Sequence, residues 1–142
     1  MHRLLLLTFL GLAPALAPAE ELHVGSGHSY GTIRPALVAA RAGDTVIVHG
    51  GIYHEGNLVV DKSVQLVGLD RPRLDGGAMS EVLTITASQV TVRGFDVQNG
   101  GASSLADLAG IKVLNASHVT LEDNRILGCS FGIYFSKARD SA

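Results

Sequence analysis

Apolar and polar side chains alternate along this chain in short runs, and the runs return at a nearly fixed distance. "VTVRGFDVQN" begins at Val90 and "VTLEDNRILG" at Val119, 29 residues later, while an earlier copy, "VQLVGLD", begins at Val64, 26 residues before Val90. A second set runs alongside: "VLTIT" from Val82, "IKVLN" from Ile111 and "IYFSK" from Ile133, spaced by 29 and then 22 residues. Each copy is four to six residues of alternating character closed by Gly, Asn or Asp, which is strand chemistry separated by turn chemistry. A unit of this size cannot bury its own apolar face, but stacked units can. Val64, Val90 and Val119 would then lie one above another, as would Leu66, Val92 and Leu121, about 4.8 Å apart.

The pattern predicts an all-β fold, a right-handed parallel β-helix (solenoid) with an N-terminal capping helix. Loops growing outward at fixed corners explain the variable period, and "GGASSLADLA", 100–109, reads as one such insertion. A sandwich of antiparallel strands would also show short strands and many turns, but not this regular self-similarity. The first coil of a solenoid exposes a strand edge that must be covered. The stretch 31–43 supplies the cover, because Ile33, Ala36, Leu37 and Ala40 share one helical face, Pro35 suits a first turn and Gly43 a stop. "TVIVHG" follows as the first strand, with Val46 and Val48 on one side and Thr45, Ile47 and His49 on the other.

The first nineteen residues are of another kind. A basic "MHR", the apolar "LLLLTFLGL" and small residues at 17 and 19 predict a secretory signal peptide over 1–19. Residues 20–30 read as an N-terminal linker, and 31–142 as a β-helix of about three to four coils, truncated at its C-terminus. The next strand is due at 141 and the sequence stops at Ala142. Without Arg3 the chain carries ten basic and thirteen acidic residues, a net −3. That balance, with no Lys/Arg run, excludes a nucleic-acid footprint. No further segment after the signal peptide could span a membrane. One cysteine, Cys129, excludes an internal disulfide framework, and the absence of Trp leaves Val, Leu and Ile to build the core.

The chemistry-bearing candidates are mostly histidines. His49 and His54 lie five residues apart in "HGGIYHEG", near one glycine-rich corner, and form the first candidate metal pair. Two histidines without a third ligand close in sequence are a weak signal, and a turn role is the plainer account. His23 and His28, in the glycine-rich "HVGSGH", form a second pair. His23 would complete an amino-terminal copper site only if Glu21 became the first residue, whereas a cut before Glu20 spoils that geometry. His118, Met79 and Cys129 are isolated, and Cys129 reads as a small buried hydrophobe. Sugar cleavage would require two carboxylates facing a groove. Asp96, Glu122 and Asp123 are available, but Arg93 beside Glu122 reads as a solvated cross-rung ion pair, and Thr91 beside Thr120 as an outward pair. No catalytic residue is assigned.

"TIRPALVAARAGDTVIVHGGIYHEGNLVVDKSVQLVG", "LDGG", "VLTITASQVTVRGFDVQNGG" and "VTLEDNRILGCSFGIYF" resemble the NosD group of the carbohydrate-binding and sugar-hydrolase β-helix superfamily, over about residues 32–137. The resemblance implies a periplasmic accessory protein that helps assemble the copper-sulfur centre of nitrous oxide reductase. Its implied partners are that reductase, an ABC transporter ATPase and permease, and a copper chaperone, with copper as the implied metal and no turnover of its own. The alternative is a carbohydrate-active β-helix enzyme, a lyase, epimerase or hydrolase, or a sugar-binding repeat module.

Overall fold

The structure is a computed structural model that describes Gly11 and residues 17–142. The signal peptide expected over 1–19 therefore lies, apart from Gly11 and 17–19, outside the described residues. Among the described residues thirteen short strands wind into three parallel sheets, with one helix between the first two strands. The strands are β1 (Glu21–Val24), β2 (Thr45–Val48), β3 (Ile52–Tyr53), β4 (Leu58–Val60), β5 (Gln65–Gly68), β6 (Arg73–Asp75), β7 (Leu83–Ile85), β8 (Thr91–Arg93), β9 (Asp96–Gln98), β10 (Ala109–Leu114), β11 (Thr120–Glu122), β12 (Arg125–Leu127) and β13 (Phe131–Ser136). The sheets run β1-β2-β5-β8-β11, β3-β6-β9-β12 and β4-β7-β10-β13. Strands of the same sheet come from successive turns of chain, so each coil contributes one strand to every sheet. Four complete three-strand coils follow β1, and with β1 the solenoid has about five turns.

The stacking expected from the repeats is present. Leu66 pairs with Val92 and Val92 with Leu121, and Thr91 pairs with Thr120. In the second set Ile111 pairs with Ile133 as expected, but its partner in the preceding coil is Leu83, one residue beyond the expected Val82. A parallel register off by one would turn a strand inside out. Leu83 and Ile85 both point into the core while Val82 packs at the bend before them, so the apolar run was longer than the strand. The core is a column of aliphatic side chains with Phe95 as its largest member.

Corners obey their own column rule. Gln89 and His118 take positive φ at matched positions ahead of Val90 and Val119, and Gly94 and Asp123 do the same after β8 and β11. Asn99 and Asn115 turn through the same left-handed region after β9 and β10, which accounts for the Gly, Asn and Asp that closed each copy. His118 is thereby a corner residue, exposed and apart from the other histidines. The 100–109 segment is the expected outward loop, with residues 102–107 exposed.

The capping helix α1 spans Ile33–Ala39 and buries Ile33, Ala36 and Leu37 against β1, β2 and β4. It covers the start of the stack, because β4 is the terminal strand of its sheet. Seven residues make too few internal hydrogen bonds to stand alone. Both ends are held by groups distant in sequence. Glu55 accepts hydrogen bonds from the Ile33 and Arg34 amides at 2.7 and 2.9 Å, and Arg34 returns one to the Glu55 carbonyl at 2.5 Å. At the other end Lys62 Nζ donates to the carbonyls of Leu37, Val38 and Ala40 at 3.1, 2.7 and 2.8 Å. The helix stops at Ala40, before the expected Gly43, as the backbone turns extended there.

One element is a correction. Residues 20–30 are not a linker, since β1 occupies Glu21–Val24 and pairs in parallel with β2 from Glu21–Thr45 to Val24–Val48. The strand "TVIVHG" is therefore second in its sheet. Leu22 and Val24 are buried while Glu21 and His23 face outward, a four-residue alternation too short to stand out beside the glycine-rich sequence that follows.

Candidate metal centre

The pairing of β1 with β2 gathers the histidines. The side chain of His23 projects outward from β1, and His49 sits at the next outward position after Val48 at the end of β2. His28 reaches the same place from the loop that closes behind β1. That loop is fastened by its own backbone: Gly25 N donates to Tyr30 O at 2.8 Å, His28 N to Gly25 O at 3.1 Å and Tyr30 N to His23 O at 3.2 Å. Gly25 leaves the room this needs, because a Cβ there would meet His49 Cβ at 3.2 Å and His28 Cδ2 at 3.4 Å, with φ at +144°.

His23 Nδ1 and His49 Nε2 are 2.9 Å apart, a hydrogen bond in which one ring donates and the other accepts. The His28 ring stacks on His49 at 3.8 Å between centroids and 11° between planes. One nitrogen from each of the three rings lies within 4.8 Å of the other two. The other nitrogen of His23, Nε2, faces Glu21 Oε2 at 3.4 Å, the arrangement by which a carboxylate orients an imidazole and fixes its tautomer. Tyr53 donates its hydroxyl hydrogen to the His49 carbonyl at 2.6 Å and so fixes the corner that carries the ring. Loss of hydration, followed by the nearness of His28 and His23, holds the His49 pKa below the usual imidazole value, against a smaller opposing pull from Asp70. His49 thus favours the neutral form that ligates metals.

The two expected pairs are redistributed. His49 joins His23 and His28, whereas His54, 70% exposed, turns to Asp75 Oδ2 at 4.0 Å. The reason is the strand register: β3 carries His54 into the next sheet, while β1 lies directly beside β2. Met79 is 85% exposed in the turn after β6. Cys129 is half-buried rather than buried, packed where a Cβ on Gly100 would meet its sulfur at 2.9 Å. Neither belongs to the histidine cluster.

The expected carboxylate candidates lie in another region. Arg93 and Glu122 are cross-strand partners as expected. The close ion contact there is made by Arg71, whose guanidinium lies 2.5 Å from Asp123 Oδ1 and 3.8 Å from Asp96 Oδ1. Among the described residues no helix is long and apolar enough to cross a membrane.

Three parallel sheets wound into coils define this chain as a parallel β-solenoid, with a histidine cluster at its first pair of strands. In sequence the chain is NosD-like: it is 32% identical over 133 residues, 92% of its length, to the probable ABC transporter binding protein NosD of Pseudomonas aeruginosa, and spans 28% of that relative's length. No family model matches. Among solved structures, pectin methylesterase from Aspergillus niger aligns over 89% of this chain and 52% of that enzyme at 21% identity and a TM-score of 0.41. Its deglycosylated form gives 20% identity over the same shares, also at a TM-score of 0.41.

Proposed function

We propose that the chain serves as a periplasmic accessory protein, working with an ABC transporter in assembly of the copper-sulfur centre of nitrous oxide reductase. The observation that carries the reading is the 32% identity with a probable ABC transporter binding protein over nearly the whole chain. A stack of short coils with an aliphatic core offers long outer faces for docking. In this reading the reductase, the transporter ATPase and permease and a copper chaperone are partners, and copper is cargo passed among them. Export would be directed by residues 1–19.

The test is genetic and spectroscopic. Removing the gene that encodes this chain from its host should yield nitrous oxide reductase that is exported but lacks the absorption of its copper-sulfur centre, and restoring the gene should return it. Reductase with a full copper-sulfur centre in the deletion strain would overturn the reading. So would location of the chain in the cytoplasm.

A further inference from the structure

We propose that His23, His28 and His49 form a surface site for a divalent ion of the zinc and copper(II) class, with its fourth coordination position open to solvent. Three imidazole nitrogens within 4.8 Å of one another match the ligand number of open three-histidine sites. The donor set also selects the ion. Imidazole suits borderline divalent metals, whereas a site for a soft monovalent ion recruits thiolate or thioether, and Cys129 and Met79 both lie outside the cluster.

The protein has already done most of the positioning. His23 and His49 are fixed by a strand pair, His28 by a turn with its own hydrogen bonds, and the outer nitrogen of His23 faces Glu21. Placing an ion about 2.0–2.1 Å from each nitrogen in tetrahedral geometry opens the His23–His49 contact to roughly 3.3 Å. The ring of His28 must tilt out of its stack so that its lone pair converges with the others, and its exposure leaves it free to do so. Each neutral imidazole gives one lone pair. The hydrogen shared between His23 and His49 moves to the far nitrogen of whichever ring carried it, so no net charge leaves the site.

The ion would join β1, an edge strand, and its return loop to β2, so its binding is coupled to order in the first turn. Exposure of His28 and the open fourth position make the ion exchangeable, in contrast to a sealed structural site. This inference stands on the donor geometry alone and does not depend on the assembly reading.

The experiment is calorimetric titration of the full 142-residue chain with Zn(II) alone, paired with Co(II) absorption spectroscopy. One equivalent should bind with a Kd of about 1 µM or tighter, and Co(II) should show the intense visible bands of a four-coordinate site. His28→Gln should weaken binding by at least about tenfold, comparable to the 10–100-fold losses seen when metal sites are disturbed. Its side chain is exposed, so the variant retains the fold, checked by circular dichroism. His23→Gln should behave alike, and His54→Gln and His118→Gln should match the parent. Hydrogen exchange of the amides at 21–30 should slow when Zn(II) is added to the parent and not to His28→Gln. Binding that is absent at 100 µM, or equal in the parent and in His28→Gln, would overturn the proposal. A His28→Gln chain that binds no ion yet restores the reductase would leave the assembly reading standing while showing that the site is not its means.

Discussion

Replacing Lys62 with Met should destabilise the chain by about 2 kcal/mol. The substitution keeps an unbranched stem where the lysine packs and removes only the ammonium group. That ammonium donates to three carbonyls at the C-terminal end of α1, at 2.7–3.1 Å. A hydrogen bond involving a charged group contributes about 1.5–3 kcal/mol, and a cation at a helix C-terminus about 0.3–1 kcal/mol. The three bonds share one charge and Lys62 is half-buried, so they do not sum. The carbonyl of Val38, whose side chain is 73% exposed, can turn to water, but those of Leu37 and Ala40 sit beside buried side chains and recover less. The total is therefore close to one strong charged bond. Thermal unfolding followed by far-ultraviolet circular dichroism should show Tm lowered by about 5–10 °C for a chain of this size. Urea unfolding should show a lower midpoint at unchanged slope. A loss below about 0.5 kcal/mol would refute the view that the helix is held from outside at its C-terminal end. Combining Lys62→Met with Glu55→Gln, which weakens the other end, should cost less than the sum of the single changes, because both act on one seven-residue element.

Two further outcomes follow from the same packing and hydrogen bonds. Val92→Asp places a carboxylate between Leu66 and Leu121 at a fully buried position and should cost more than about 4 kcal/mol, whereas Arg93→Ala, one residue on and exposed, should stay within about 0.5 kcal/mol in urea unfolding. The Asp44 carboxylate accepts from the Glu20 amide at 2.9 Å and the Arg41 amide at 2.7 Å, and these bonds hold its pKa below the usual carboxylate value. A depressed folded-state pKa contributes stability that is present above the unfolded-state value near 4 and is lost as pH falls through the folded value. Asp44→Asn should therefore be less stable than the parent at neutral pH, and the gap should narrow below about pH 4; a gap that stays constant from pH 7 to pH 3 would refute the assignment.

The fold was legible because a solenoid writes its contacts into the sequence as a period. Val64, Val90 and Val119 name their own neighbours once the spacing is noticed, and the corner glycines and asparagines mark where each coil turns. The helix was legible from Ile33, Ala36 and Leu37, whose spacing requires one buried face. What holds its ends was not: Glu55 and Lys62 lie in later segments, and no local pattern links them to amides and carbonyls more than twenty residues away. The histidines divide in the same way. His49 could be placed on the outer face of its strand from alternation alone, and His23 and His28 could be seen as a sequence pair. Their meeting depends on β1 adding beside β2 in parallel register, and the four residues of β1 carry too few alternations to announce a strand. Sequence proximity favoured His54 as the companion of His49, yet the chain turns a corner between them and carries His54 to Asp75. Periodicity determines which residues stack, because each coil buries its face only against the next. Which side chains meet at the outer surface is decided by the register of neighbouring strands and the path of the loops between them, and that exists only in the folded chain.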